Sequence, residues 1–312
     1  LIGCDFGAPK KAGDQAKKII AIEALMVDVG HYAIRTAGPN ERLNQWRNGR
    51  PNARPGWSLP ELRDWLASDR ALTVAAFDFP FSLPASLLQD PAFALRMQEP
   101  HPFQTRERWA TFVAGRLRLQ FTREGPLGEM ADLGLFVPWR DTSLWIRRAC
   151  DIATNAAPPL KHVGQNVFAM TLAGTALLHA LQPAGYSILL GQTPSLTSRT
   201  LFETYPSLIA RRIGFQGSYK QEPVRCMREA LLYLANQGIR LDFDPEIRLF
   251  CESYRTGGKQ PDPDGADAFL CLVAAICYRA GLAEVIYGDA SPAQRAEEGG
   301  IVAPVCLKAA GR

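Results

Sequence analysis

Ala71-Leu-Thr-Val-Ala-Ala-Phe77 is a continuous apolar run of strand length that stops at Asp78-Phe79-Pro80-Phe81-Ser82-Leu83-Pro84. A strand with no polar alternation is one covered on both faces, as in a parallel sheet with helices on each side. Two further strand-like segments end the same way. Leu1-Ile-Gly-Cys-Asp5-Phe6 opens the chain, and Leu201-Phe-Glu203-Thr-Tyr-Pro206 stops at a carboxylate and a proline. The spacing of Asp264 to Arg279 (DGADAFLCLVAAICYR) predicts a tightly packed helix of small residues, opened by Asp264 and Asp267 and stopped by Gly281. The expected class is therefore α/β.

Working outward, Lys18–Asp28 (KIIAIEALMVD) and His31–Thr36 (HYAIRT) alternate and are rich in β-branched residues. With the first strand they predict an antiparallel meander. Leu59–Ala67 (LPELRDWLA) is a short helix with Ser58 as its N-cap. Residues 85–163 are long, rich in Arg and aromatics, and expected to be a largely helical insertion. Val163–Leu181 is apolar at helical spacing, Tyr186–Leu190 is a brief apolar run, and Pro223–Gln237 starts on Pro and is followed by Gly238. No internal repeat or low-complexity segment occurs.

The 312 residues are 47% hydrophobic and 21% charged, which fits a single domain (1–312) with an ample core. The apolar runs look too short for a membrane span, and no basic stretch leads into an apolar run as a signal peptide would require. The net charge of +4 is too weak to argue for nucleic acid by itself. The seven cysteines are odd in number and form no C-x-x-C, so free buried thiols and a cytoplasmic location are expected. The four histidines are scattered, which argues against a His-rich metal site.

Ligands of open α/β sheets bind at the carboxyl ends of the strands. Acids ending neighbouring strands would converge there and repel one another unless a cation neutralised them. Mg²⁺ or Mn²⁺ suits such hard oxygen donors, and a metal pair about 4 Å apart can hydrolyse a phosphodiester. The candidates are Asp5, Asp78 and Asp267 as metal ligands, with Asp264 and Glu203 as further catalytic carboxylates. Four of the five have a plainer alternative. Asp5 could shape the bend before Pro9, Asp78 could accept backbone N–H groups of its turn, Asp264 could be an N-cap, and Glu203 could pair with Arg211 or Arg212. An acid within the apolar body of a helix, as at Asp267, is harder to explain away.

The segments LIGCDFGAP, AAFDFPFSLP, FETYPS and DGADAFLCLVAA, with Ile286-Tyr287-Gly288 and EGGIVAP (298–304), resemble the domain-of-unknown-function 429 family of predicted RNase H-like nucleases. Asp264-x-x-Asp267 also resembles the D-x-x-D on the last helix of RuvC-type junction resolvases. The resemblance implies a mixed five-stranded sheet of order 3-2-1-4-5, flanked by helices, with Asp5 and Asp78 on adjacent central strands and the insertion after strand 4. It also admits a homodimer. It departs from the resolvase pattern at Asp78, where Glu is common, and in the length of the insertion.

Lys10, Lys11, Lys17 and Lys18 crowd the first hairpin, and Arg106, Arg108, Arg116, Arg118, Arg123, Arg147 and Arg148 crowd the insertion. Lys10, Lys11, Arg147 and Arg148 are the candidate contacts to the phosphates of DNA or RNA. For Trp46, Trp57, Trp109, Trp139 and Trp145, five of the six tryptophans, core packing is a more economical role than base stacking. The absence of G-x-S-x-G and of G-x-x-x-x-G-K-[ST] removes the α/β-hydrolase and P-loop classes. The expected activity is a metal-dependent nuclease. The alternatives are a non-catalytic RNase H-fold binding module and a hydrolase of a small phosphorylated substrate.

Overall fold

The computed structural model describes residues 1–6, 19–36, 56–57, 59–68, 73–118, 142–161, 167–190, 199–251 and 264–306. The strands are β1 (Ile2–Phe6), β2 (Ile19–Asp28), β3 (His31–Thr36), β4 (Val74–Asp78), β5 (Tyr186–Ile188), β6 (Arg199–Glu203), β7 (Arg240–Phe243), β8 (Ala283–Ile286) and β9 (Ile301–Pro304). The helices are α1 (Leu59–Ala67), α2 (Ala85–Gln89), α3 (Pro91–Arg96), α4 (Arg106–Arg118), α5 (Ala149–Thr154), α6 (Val167–Leu181), α7 (Pro206–Arg212), α8 (Pro223–Asn236), α9 (Pro245–Cys251), α10 (Asp264–Arg279) and α11 (Pro292–Glu298). Ser58, the expected N-cap of α1, lies outside the described residues.

The fold is mixed α/β. One sheet runs β7-β3-β2-β1-β4-β6-β9-β8, with β5 pairing on β6. The expected meander is present: β2 is antiparallel to both β1 and β3. The apolar run that suggested a doubly covered strand is β4, which lies parallel between β1 and β6. The sheet has nine strands rather than the expected five. The extra ones (β5, β7, β8 and β9) are three or four residues long and flank the longer central strands.

Register decides which side chains share a face. Gly3 is opposite Ala76 and Asp5 opposite Asp78, whereas Cys4 is opposite Phe77. Ile22, Ala76 and Phe202 lie in a core closed by α10. Cys4, Phe6, Phe77 and Leu201 lie in another, closed by Leu62 and Leu66 of α1 and by Ala173, Leu177 and Leu178 of α6. The sheet is therefore the middle of three layers, and β1, β4 and β6 bury both faces.

α10 is buried from Gly265 through Tyr278, as an all-round apolar helix must be. It lies on β1 without a spacer: a Cβ on Gly3 would sit 2.1 Å from the Leu272 nitrogen and 2.4 Å from the Ala268 oxygen. Only glycine permits that approach. On the other side, a Cβ on Gly174 of α6 would meet the Phe79 ring at 2.1 Å, so a second glycine sets the opposite layer.

α6 corrects one sequence expectation. Val167–Ala184 is long and apolar enough to cross a membrane by length and composition, although no such run was expected. Its window is 67% buried inside the fold, the environment of a core helix. The stretch expected to be an insertion, residues 85–163, is helical where described, comprising α2 to α5 and a 3₁₀ turn at Thr142–Leu144. It packs directly on α6, with Leu83, Phe93, Phe103 and Trp109 meeting Phe168, Leu172 and Ala176. The seven cysteines stay out of disulfides; six are buried and Cys306 is exposed.

Candidate functional site

β1, β4 and β6 are parallel to one another and end at one edge of the sheet. Asp5 and Asp78 are direct register partners there, so both carboxyls leave the α10 face. The contact at Gly3 fixes what stands above them. Gly3 lies under Ala268 and Leu272. Two residues along a strand advance about 6.7 Å, and one helical turn advances about 5.4 Å the other way. Stepping from Gly3 to Asp5 therefore reaches the first turn of α10, which carries Asp264 and Asp267. The sheet and the helix bring four predicted carboxylates to one place.

Their electrostatics agree with that placement. Asp5 and Asp267 are each 4% exposed, while Asp78 and Asp264 are half-buried. Burial pushes the Asp5 carboxyl well above the usual carboxylate range, and the charges of Asp267, Asp264 and Asp78 push it further. Burial also raises Asp78, followed by the charge of Asp267. Each of these acids makes the others harder to ionise, which is the condition that a cation relieves.

A cation does face them, and it belongs to the protein. The Lys220 ammonium donates to Asp267 Oδ2 at 2.9 Å and lowers the pKa of both Asp5 and Asp78. Beside it stands buried Tyr219; burial raises the phenol's pKa, and the charge of Asp267 raises it further. Both residues come from the turn between α7 and α8. They were missed in the sequence because Gly214-Phe-Gln-Gly-Ser-Tyr-Lys220 has no periodicity; a Tyr-Lys pair just beyond two glycines is the sole signal. The donors near the carboxylates are hard oxygens of the kind Mg²⁺ or Mn²⁺ takes. Among the described residues, however, no three His, Cys, Asp or Glu side chains form a ready ligand group.

Glu203 is not part of this cluster. Its register partner is Phe77, so its side chain leaves the face opposite Asp5 and Asp78. There it accepts from the Phe81 N–H at 2.9 Å and from both terminal nitrogens of Arg148. Burial raises its pKa, and the Arg148 charge opposes that rise. Neither Arg211 nor Arg212 is its partner: Arg211 donates to the Thr154 carbonyl and Arg212 pairs with Glu284.

Arg148 is likewise misplaced as a substrate contact, being 1% exposed. Its Nε reaches Asp151 Oδ2 at 3.0 Å, Nη1 reaches Glu203 Oε2 at 2.7 Å and the Glu298 carbonyl at 3.2 Å, and Nη2 reaches Asp151 Oδ1 at 2.6 Å and Glu203 Oε1. A guanidinium has five N–H donors, and all five are used. Burial works against its charge, but Asp151 and Glu203 outweigh burial and hold it firmly protonated. Glu298 extends the network by accepting from the Ala85 N–H at 2.9 Å and the Ala149 N–H at 3.2 Å, the first residues of α2 and α5. Buried acids thus staple the insertion to the sheet.

Arg147 is exposed and open to a ligand. Lys10, Lys11, Lys17, Lys18 and Arg123 lie outside the described residues, as do Trp46 and Trp139. Arg106 is 6% exposed and donates to the Phe81 carbonyl, and Arg108 donates to the Pro102 carbonyl. Trp109 packs edge-on against Phe103 and Trp57 stacks on Trp65, both as core side chains.

Compared with models of protein families, with curated proteins and with solved structures, the chain matches none.

Proposed function

We propose that the protein is a metal-dependent phosphodiester hydrolase of RNase H-like architecture, acting on DNA or RNA. The observation that carries the proposal is the register pair Asp5–Asp78 beneath Asp267. Like charges gathered at buried positions disfavour the metal-free state and favour a divalent ion. The central strand order β3-β2-β1-β4-β6, antiparallel on one side of β1 and parallel on the other, supports the architecture. Asp5, Asp78 and Asp267 would hold Mg²⁺ or Mn²⁺, with Asp264 beside them. The bound ion would supply the charge that activates water and stabilises the leaving oxygen. The residues of the chain orient it: the Asp5 and Asp78 carboxyls are fixed by the β1–β4 pairing, and Asp267 by the contact of α10 with Gly3. Exposed Arg147 is available for backbone phosphate.

A second reading, a binding module that has kept the fold without the chemistry, is favoured by one observation: Lys220 already neutralises Asp267. Cleavage of end-labelled single-stranded and duplex DNA and RNA with Mn²⁺, Mg²⁺ or EDTA separates the two readings. The hydrolase reading predicts metal-dependent cleavage that Asp5→Asn and Asp267→Asn abolish while the fold survives. Cleavage that persists in EDTA, or full activity in Asp5→Asn, would refute it.

A further inference from the structure

Lys220 differs from the buried Arg148. Arg148 is sealed and fully bonded, whereas the Lys220 side chain is 49% exposed while its ammonium sits on an Asp267 side chain that is 5% exposed. The head therefore lies in the carboxylate cluster while the stem keeps an open route to solvent. Its anchorage lies in its neighbours. Phe215 and Tyr219 are buried, with the Arg225 guanidinium 5.2 Å over the Phe215 ring. The Ser218 carbonyl accepts from the N–H groups of Gln221 and Glu222 at 2.9 and 3.0 Å. The backbone of the turn is held, and the Lys220 side chain can swing on its flexible four-carbon stem.

We propose that Lys220 is a tethered cation that takes the place of the divalent ion in the metal-free cluster, and that metal entry displaces it outward, where its ammonium meets the phosphate of the substrate. This rests on the metal-site reading above. It accounts for two observations that otherwise conflict: Asp5 and Asp78 paired in register beneath the first turn of α10, a place suited to a hard cation, and a lysine ammonium already seated on Asp267 Oδ2 there. An ammonium and a divalent ion cannot both sit against Asp267 Oδ2 without strong repulsion. The two cations are therefore exchanged, and Asp267 faces a positive charge in both states. On this account Lys220 sets the metal affinity from within the site.

The test is Mn²⁺ binding to the full chain, with metal alone, read by loss of the free-ion electron paramagnetic resonance signal. Wild type, Lys220→Met, Lys220→Gln and Lys220→Arg are compared, with thermal melting as the fold control. An opposite charge within about 4–6 Å shifts a carboxylate equilibrium by roughly one to three powers of ten, so Lys220→Met should bind Mn²⁺ at least about tenfold more tightly than wild type. Lys220→Gln, the second neutral variant, should do the same, and Lys220→Arg should not. Binding by the neutral variants but not by wild type would support the proposal equally. Equal or weaker binding in the neutral variants, with wild type binding, would overturn the role of Lys220 and leave the metal site standing. No binding in any folded variant would overturn the metal site and this proposal together. In the hydrolase assay, Lys220→Met should lose turnover despite its tighter metal binding, a split that a purely structural residue would not produce.

Discussion

Gly3→Ala is the substitution that tests how the site is assembled. The added methyl would lie 2.1 Å from the Leu272 nitrogen, 2.4 Å from the Ala268 oxygen and 2.5 Å from the Leu272 Cα, all backbone atoms of α10. Carbon contacts are comfortable at about 3.5 Å, so the helix must retreat by more than ~1 Å or the strand must bow. No rotamer change relieves a clash with backbone. Overpacking a core costs about 1–3 kcal/mol, and this case belongs at the upper end of that range. At about 2–4 °C per kcal/mol for a large domain, the melting temperature should fall by roughly 5–10 °C. The same retreat lifts Asp264 and Asp267 from Asp5 and Asp78, so Mn²⁺ affinity should fall in whatever fraction remains folded. Gly115→Ala is the control. Gly115 lies in α4, and a methyl there would meet nothing within 4 Å, so removing a helix glycine should stabilise by about 0.5–1 kcal/mol. Calorimetric melting of the two variants beside wild type is the assay. A Gly3→Ala protein that melts with wild type would refute the close seating of α10 on β1, and with it the convergence of the acids.

The buried network and the titration of the cluster give further expectations. Arg148→Met leaves Asp151 and Glu203 buried without their partner, and should cost about 3–5 kcal/mol in urea unfolding; a loss below about 1 kcal/mol would mean the network is not intact in solution. Asp78→Asn should stabilise the metal-free chain at neutral pH. The folded Asp78 carboxyl lies well above its ordinary value of 3.8, so its contribution is full below that value and is lost as pH rises through the folded one. The Asn variant does not ionise, so with EDTA present its advantage over wild type in urea midpoint should grow as pH rises above the ordinary value of 3.8. A difference that stays constant with pH would remove the electrostatic account.

Much of this was legible in the sequence, and the errors have physical causes. β4 could be read because a strand covered on both faces has no alternation to confuse it, and α10 because its small apolar residues run without interruption past Asp264 and Asp267. Glu203 stands apart from the other acids on the opposite face, which apolar runs cannot foretell because they locate strands but do not give their register. With Phe77 rather than Asp78 as its partner, Glu203 moves to the other face, since a one-residue offset inverts every side chain. Arg148 looked like a surface companion of Arg147. Its burial depends on Asp151 one helical turn away and on Glu203 from a strand 55 residues on, contacts that composition cannot show. The short strands β7, β8 and β9 carry too few residues to display a period. Tyr219 and Lys220 lie in a turn, where local sequence says nothing about which distant charge the turn approaches.

The central claim is that Asp5, Asp78 and Asp267 form one cation site. Isothermal titration of Mn²⁺ into the metal-free full chain and into Asp5→Asn tests it most directly. The account predicts saturable binding to wild type that is lost in a folded Asp5→Asn protein. Wild-type affinity in Asp5→Asn, or no binding to folded wild type at millimolar Mn²⁺ even with a short oligonucleotide present, would contradict it.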